Sequence, residues 1–206
     1  MPSKKSPIIR EFTKDDEKGW VRCRVLAFLD SAYYDDVYRE KEHYESQSIE
    51  LVANVEGEVV GLIDIECETE PHTICSSSSD GDGSQVAGMI WHLAVHPDFR
   101  RQGIAKALLQ QAIELSRELG LSRLEAWTRN DDQAEIWYQN QGFQRAESYY
   151  HVYIDSTETA PEIINAKIPG LKIRSAFAHY SGDDNSVLTQ FKRVYRCSRY
   201  DLILKR

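Results

Sequence analysis

The sequence predicts an α/β (α+β) chain, a sheet with helices packed on it, and three observations carry that expectation. Of its 206 residues 41% are hydrophobic and 28% charged, the balance of one soluble globular domain rather than of a disordered, collagenous or membrane-spanning chain. Runs that alternate apolar and polar residues are interleaved with runs of helical period, so strands and helices alternate along the chain. Gly120 and Gly142 each close a helical pattern just before a β-prone run.

Ile8 to Phe12 alternates and then meets Thr13-Lys14-Asp15-Asp16, a strand leaving into a helix cap. From Asp16 onward Trp20, Cys23, Val25, Leu26 and Leu29 recur at helical spacing, whereas the aromatic, acidic stretch Tyr33 to Tyr38 fits helix or loop. Ile49 to Val55 and Val59 to Cys67 flank Glu56-Gly57-Glu58, which predicts a hairpin. Glu68 to Gln85 is Ser, Gly and Asp with almost nothing to bury, so residues 68–86 read as a surface insertion. Gly88 to Val95 is an apolar run of strand length, ended by His96-Pro97-Asp98. Ile104, Ala105, Leu108, Leu109, Ala112, Ile113, Leu115 and Leu119 then carry a helix to Gly120. Leu121 to Thr128 is the next strand, and Asp132 with Glu135 has capping-box spacing for a helix that Gly142 ends. Phe143 to Ile154 and Arg193 to Leu204 are β-prone and could pair. The residues between them, with Pro161, Pro169, Gly170 and a candidate strand at Leu171 to His179, make 155–192 a large insertion in one domain spanning 1–206.

The formal net charge is -8, which excludes a sequence-blind electrostatic grip on nucleic acid as the default. The acidity is uneven: net charge is -10 up to Val86 and +2 from Ala87 onward. Cys23, Cys67, Cys75 and Cys197 form no disulfide framework, no apolar run reaches the ~18 residues of a membrane helix, and Met1 to Pro7 lacks the apolar middle of a secretory signal. A reduced, cytoplasmic protein with no membrane or nucleic-acid partner is expected. Cys67, His72 and Cys75, with Asp80 and Asp82 nearby, invite a zinc reading but lack a clean fourth ligand. Asp80-Gly81-Asp82-Gly83 is too short for a calcium loop, so no metal is expected.

The words that carry chemistry are Leu93-Ala94-Val95-His96-Pro97 and Arg100-Arg101-Gln102-Gly103-Ile104-Ala105, which close a strand and open a helix. The first amides of a helix have no internal partners and sit at the positive end of its dipole, so this turn suits a phosphate or pyrophosphate. Gly103 lets an anion approach the backbone, and Arg100 and Arg101 add charge. Neither a G-x-G-x-x-G nor a G-K-[ST] word is present, so the Rossmann and P-loop alternatives fall away.

At these residues the sequence resembles the GCN5-related N-acetyltransferases (GNAT). Arg100 to Ala105 matches the family's acetyl-CoA loop, and Ala134-Glu135-Ile136-Trp137-Tyr138-Gln139-Asn140-Gln141-Gly142-Phe143 is similar to a second family segment. The resemblance implies a mixed, splayed central sheet flanked by helices, with acetyl-CoA as co-substrate between the fourth and fifth strands. It implies that Leu93, Ala94 and Val95 contact the pantetheine arm, that amides from Arg101 to Ala105 hold the pyrophosphate, and that Tyr138 protonates the leaving thiolate. The family's usual pantetheine Asn is replaced by Asp131, leaving Asn130 to take that contact through a shifted cap. For the general base some relatives use a residue of the fourth strand. Alternation puts His92 on the face opposite the usual one unless a bulge intervenes, and Glu66 and Glu68 are the other candidates. The implied acceptor is a primary amine on a small molecule or peptide, attacking directly in a ternary complex. The acidic residues Asp30, Asp35, Asp36, Glu40, Glu42 and Glu45 are the motive for a cationic one. The rival reading is an acyl-CoA sensor that performs no transfer. Dimers are frequent in the family, and Tyr149 to Ile154 and Val194 to Leu204 could supply a homodimer interface.

Overall fold

A computed structural model of the chain describes residues 6–77, 84–155, 164 and 166–204. Eight strands form one sheet in the order β1-β2-β3-β4-β5-β8-β6-β7. These are β1 (Ile8–Glu11), β2 (Ser48–Val55), β3 (Glu58–Cys67), β4 (Gly88–Val95), β5 (Arg123–Arg129), β6 (Gln144–Asp155), β7 (Ser175–Tyr180) and β8 (Arg193–Ile203). Three helices flank it: α1 (Glu17–Phe28), α2 (Ile104–Glu118) and α3 (Asp132–Asn140). Every strand pairing is antiparallel except β4 with β5.

Period-two alternation sorts the core onto two faces. Leu51, Ile63, Ile65 and Leu124 meet Ile104, Leu108, Leu109 and Ala112 of α2, while Val52, Val59, Leu62 and Ala94 meet Trp20, Cys23 and Ala27 of α1. Leu108 and Leu109 are almost fully buried, each worth roughly 1.5–3 kcal/mol of transfer free energy. The entry to α1 is fixed by Asp16, whose carboxylate accepts from the Thr13 amide and hydroxyl (2.8 Å each) and pairs with Arg10. That ion pair, with the Thr13 bonds, holds Asp16 at about 2. The Tyr33 to Tyr38 stretch is loop, not helix.

The structure adds detail to several sequence expectations. In the described part of the 68–86 stretch the Glu68 carboxylate accepts the amides of Ile74 (3.1 Å), Cys75 (2.8 Å) and Ala87 (2.9 Å), and Cys75 packs with Ala87 and Met89. Asp80 and Asp82 lie outside the described residues. β7 starts at Ser175 rather than Leu171 and joins the sheet beside β6, so residues 175–180 of the 155–192 stretch form the sheet edge; Pro161 lies outside the described residues. β6 and β8 do pair, and both are interior strands, which leaves β1 and β7 as the edges of the sheet. The cap of α3 is Asp131, accepting the amides of Gln133 and Ala134 at 3.0 Å, while Glu135 turns inward to Tyr200 (2.9 Å) instead of closing a box with Asp132. No described helix is long and apolar enough to cross a membrane.

Candidate active site

β4 and β5 are paired only from Gly88↔Leu124 to Ile90↔Ala126; past Ile90 the two parallel strands part. A bulge lies at the point of separation. Ile65 faces Ile90 and Asp64 faces His92, so Trp91 is an extra residue in β4. Strict alternation along β4 would put Ile90, His92 and Ala94 on one face; the bulge instead sends Ile90 into the α2 core while His92 and Ala94 stay on the α1 face. The amide of His96 donates to the Val60 carbonyl (2.9 Å), and counting back by twos commits the main chain of Ala94 and His92 to β3. The backbone groups of Leu93 and Val95 therefore turn into the gap. Ala94 does not share that role: its main chain is held by β3 and its methyl packs with the Trp20 cluster.

At one end of the gap stands the start of α2. Among the described residues no amide from Arg101 to Lys106 has an acceptor; the first helical bond there is Ala107 to the Gly103 carbonyl (3.0 Å). Arg101 (φ 62°) and Gly103 (φ 81°) are left-handed, the turn that aims successive N–H groups at one point. Gly61 on β3 sets how close this turn comes, since a Cβ there would lie 2.8 Å from Ile104 Cγ2. Arg100 is anchored to the Ala27 carbonyl (2.8 Å) and the Val95 carbonyl (3.4 Å), and the Gln102 side chain to the Asp98 carbonyl (3.3 Å). Ile104 is buried, and Ala105 lines the cleft.

The gap opens into a cleft of about 1320 Å³ that gathers most of the sequence-identified residues. Tyr138 reaches it from α3. Its ring is 8% exposed, stacked on Tyr200 and edge-on to Phe143, and its hydroxyl makes no hydrogen bond with a described residue. Burial pushes its phenol well above the ordinary value, so it stays protonated at neutral pH. Asn130, left-handed at φ 45° and exposed, sits on the cleft rim with its amide on the Arg196 carbonyl (2.8 Å).

His92 faces the cleft from β4 with both nitrogens engaged. Arg24 Nε donates to Nδ1 (3.3 Å), which places the proton on Nε2, 2.6 Å from Glu42 Oε2. Burial pulls the imidazole below its ordinary value, and the bond from His92 holds the Glu42 carboxyl low. Glu66 is elsewhere: its carboxylate accepts from the Trp91 indole (2.9 Å) and lines a smaller neighbouring depression, and Glu68 is the loop anchor described above. Among the described residues no three His, Cys, Asp or Glu side chains come together as a metal site.

Sequence reasoning did not single out Arg24, Trp127, Arg129 or His151, all of which line the cleft. Arg24 is 1% exposed, binds Asp36 and lies over the Tyr38 ring (4.0 Å). The only signal for it was an arginine on the apolar stripe of α1. Asp35 and Asp36 are spent on Arg193 (2.6 Å) and Arg24 (3.3 Å), so of the acidic residues expected to face the acceptor Glu42 is the one that bonds the His92 imidazole.

Fold and site together define an α/β protein shaped to hold an extended, anion-ended ligand between two parted strands, with an unbonded phenol hydroxyl inside. Residues 10–143 match the model of the acetyltransferase (GNAT) family, and the chain belongs to that family and is an acyltransferase. It is 31% identical over 132 residues to an acetyltransferase of Pectobacterium atrosepticum, covering 62% of this chain and 80% of that one. It is 28% identical over 148 residues to an N-acetyltransferase of Archaeoglobus fulgidus, covering 68% and 95%. A protein of Salmonella typhimurium solved with acetyl-CoA shares the fold at a TM-score of 0.57 and 16% identity, over 98% of this chain and 96% of that one.

Proposed function

We propose that the protein moves an acetyl group from acetyl-CoA to a primary amine by direct attack in a ternary complex. The observation that carries the reading is the run of acceptor-free amides from Arg101 to Lys106 at the mouth of the gap between β4 and β5, beside the unbonded Tyr138 hydroxyl. Acetyl-CoA supplies the activated acyl group. The chain's own residues supply the rest: amides of Arg101 to Ala105 bind the pyrophosphate, and the gap-facing backbone of Leu93 and Val95 orients the arm, with Asn130 at its rim. Donors held in place before the reaction need no reorganisation as charge develops.

Tyr138, whose hydroxyl lines the cleft and bonds no described residue, hands its proton to the departing sulfur as negative charge develops there. On the other side His92 holds its Nε2 proton against Glu42, so the Glu42 carboxylate draws in the substrate ammonium. The ammonium loses one proton to cleft water to free its lone pair for attack, and the second proton shed by the nitrogen on acylation returns to the Tyr138 oxygen; Glu66 takes no part. The paired state of Asp35 and Asp36 supports a single ammonium at this point rather than a polycation. The four free, buried cysteines support a reducing, cytoplasmic setting.

The test is titration of acetyl-CoA by calorimetry, followed by thiol release against a panel of amines. Binding with amine-dependent release is expected. Binding without release from any amine supports the sensor reading, and no binding overturns the assignment of the Arg101 to Ala105 loop.

A further inference from the structure

The far wall of the cleft, past the point where β4 and β5 part, is built by Trp127 and Arg129 of β5, Tyr149 and His151 of β6, Tyr195 and Cys197 of β8, and Tyr33 of the loop after α1. Two guanidiniums meet at the Tyr153 side chain, and one of them, Arg193, is neutralised by Asp35. Arg24, on the His92 side, is paired with Asp36. Arg129 has no carboxylate in ion-pair range among the described residues. Nη1 donates to the Ala32 carbonyl (3.3 Å) and the Tyr153 hydroxyl (3.2 Å), the group lies over the Tyr33 ring (4.6 Å), and Nε is buried with no acceptor.

Beside it a second donor is stranded. His151 is 7% exposed, its Nε2 is 3.1 Å from the Tyr149 hydroxyl, and its Nδ1 is buried without a partner. Burial first, and then the charge of Arg129, push this imidazole down to about 4, so it is neutral at pH 7; in the tautomer with its proton on the orphan Nδ1, Nε2 accepts from the Tyr149 hydroxyl. Folding has therefore left an uncompensated guanidinium and an unmet ring nitrogen on the same wall. Such groups are costly to bury unless an acceptor arrives.

We infer that the acceptor amine also carries a carboxylate, which pairs with Arg129 and takes a hydrogen bond from His151, so the substrate class is amino acids in the broad sense rather than simple amines or polyamines. This rests on the transfer proposed above. The amine end lies toward Glu42, beside His92 of β4, and the acid end toward Arg129 of β5, both of which line the one cleft. A guanidinium suits the acid end because its fork of donors matches a carboxylate.

The experiment measures kcat/KM with matched pairs: glycine and glycinamide, β-alanine and β-alaninamide, phenylalanine and its amide. Wild type is compared with Arg129→Gln and Arg129→Lys. Dipeptides beginning Gly-Asp and Gly-Asn form a further pair that tells a free amino acid from an acidic peptide as the source of the carboxylate. Wild type is expected to favour the acids by roughly 10- to 100-fold, the span of a charge-assisted hydrogen bond. Arg129→Gln is expected to bring that ratio near unity while still acetylating the amides, and Arg129→Lys to keep part of it. An arginine that only clamps the Tyr33 loop would lower all rates together and leave the ratio unmoved. Equal use of acids and amides by wild type, or a preference surviving in Arg129→Gln, overturns the inference. Should no amine be acetylated, calorimetry with CoA and N-acetylated acids against N-acetylated amides decides it. Acid-specific binding lost in Arg129→Gln upholds the subsite although transfer has failed, and no acid-specific binding refutes it.

Discussion

Asp64 sits on β3 directly opposite His92, with no exposure, and its ionisation is expected to be visible in the stability of the whole chain. Oδ2 accepts from the Trp20 indole (3.0 Å) and faces Lys41 (3.3 Å), while Oδ1 has no partner. Burial raises its pKa from 3.8 to about 7, against the opposing pull of Lys41. Because the folded value lies above the unfolded one, the bound proton stabilises the fold fully below about pH 4, and that contribution is lost as pH rises through about 7. The shift of ~3 units corresponds to ~4 kcal/mol. Asp64→Asn keeps an oxygen for Trp20 and cannot ionise, and Lys41 retains Glu50 at 2.7 Å. Urea unfolding of wild type and variant, followed by tryptophan fluorescence from about pH 4.5 to about pH 8.5, should therefore show the variant gaining on wild type by several kcal/mol, with a plateau above about 7.5. A difference that stays constant across the range, or grows only above about pH 8, would refute the reasoning.

Tyr138→Phe removes a hydroxyl that bonds no described residue and keeps the ring contacts with Tyr200 and Phe143, so unfolding free energy should move by less than about 0.5 kcal/mol. Thiol release should fall by about 10²–10⁴-fold with acetyl-CoA binding nearly unchanged. Gly103→Ala meets open space but must hold φ 81°, so a loss of about 1 kcal/mol in stability and weaker acetyl-CoA binding are expected by melting and calorimetry. Asp131→Ala removes two bonds at the start of α3 and should cost about 1 kcal/mol in urea unfolding.

Most of the sheet's order along the chain was readable because alternation and helical period are local signals. The α2 loop was readable because an unpartnered helix start has a fixed residue pattern. Local signals stop at contacts between distant segments. That Glu68 caps a loop seven residues on, that β7 returns to lengthen the edge, and that Glu135 turns inward to Tyr200 all depend on where other elements pass. The face of His92 followed from alternation, but its partners did not: Arg24 and Glu42 lie 68 and 50 residues away in sequence. Glu66 looked equivalent to any other strand-end carboxylate until the exposed Trp91 indole was seen to hold it.

The backbone at Trp91 also bears on the gap. Two strand edges that part in the middle of a sheet present unpaired backbone groups, and such edges ordinarily pair again or aggregate. Here the extra residue at Trp91 bends β4 out of register just where its pairing with β5 ends, and bulges increase local twist. On the β5 side the Trp127 carbonyl receives the Tyr33 hydroxyl (3.5 Å), and Tyr33 is itself stacked under Arg129. The arginine inferred to read the substrate's acid therefore also helps seat the ring that caps the free edge. Filling the acid subsite and ordering that edge should be coupled, so hydrogen exchange at the Trp127 to Arg129 amides should slow in wild type when N-acetylated acids bind. If those amides are equally protected with and without the acids, the coupling is absent.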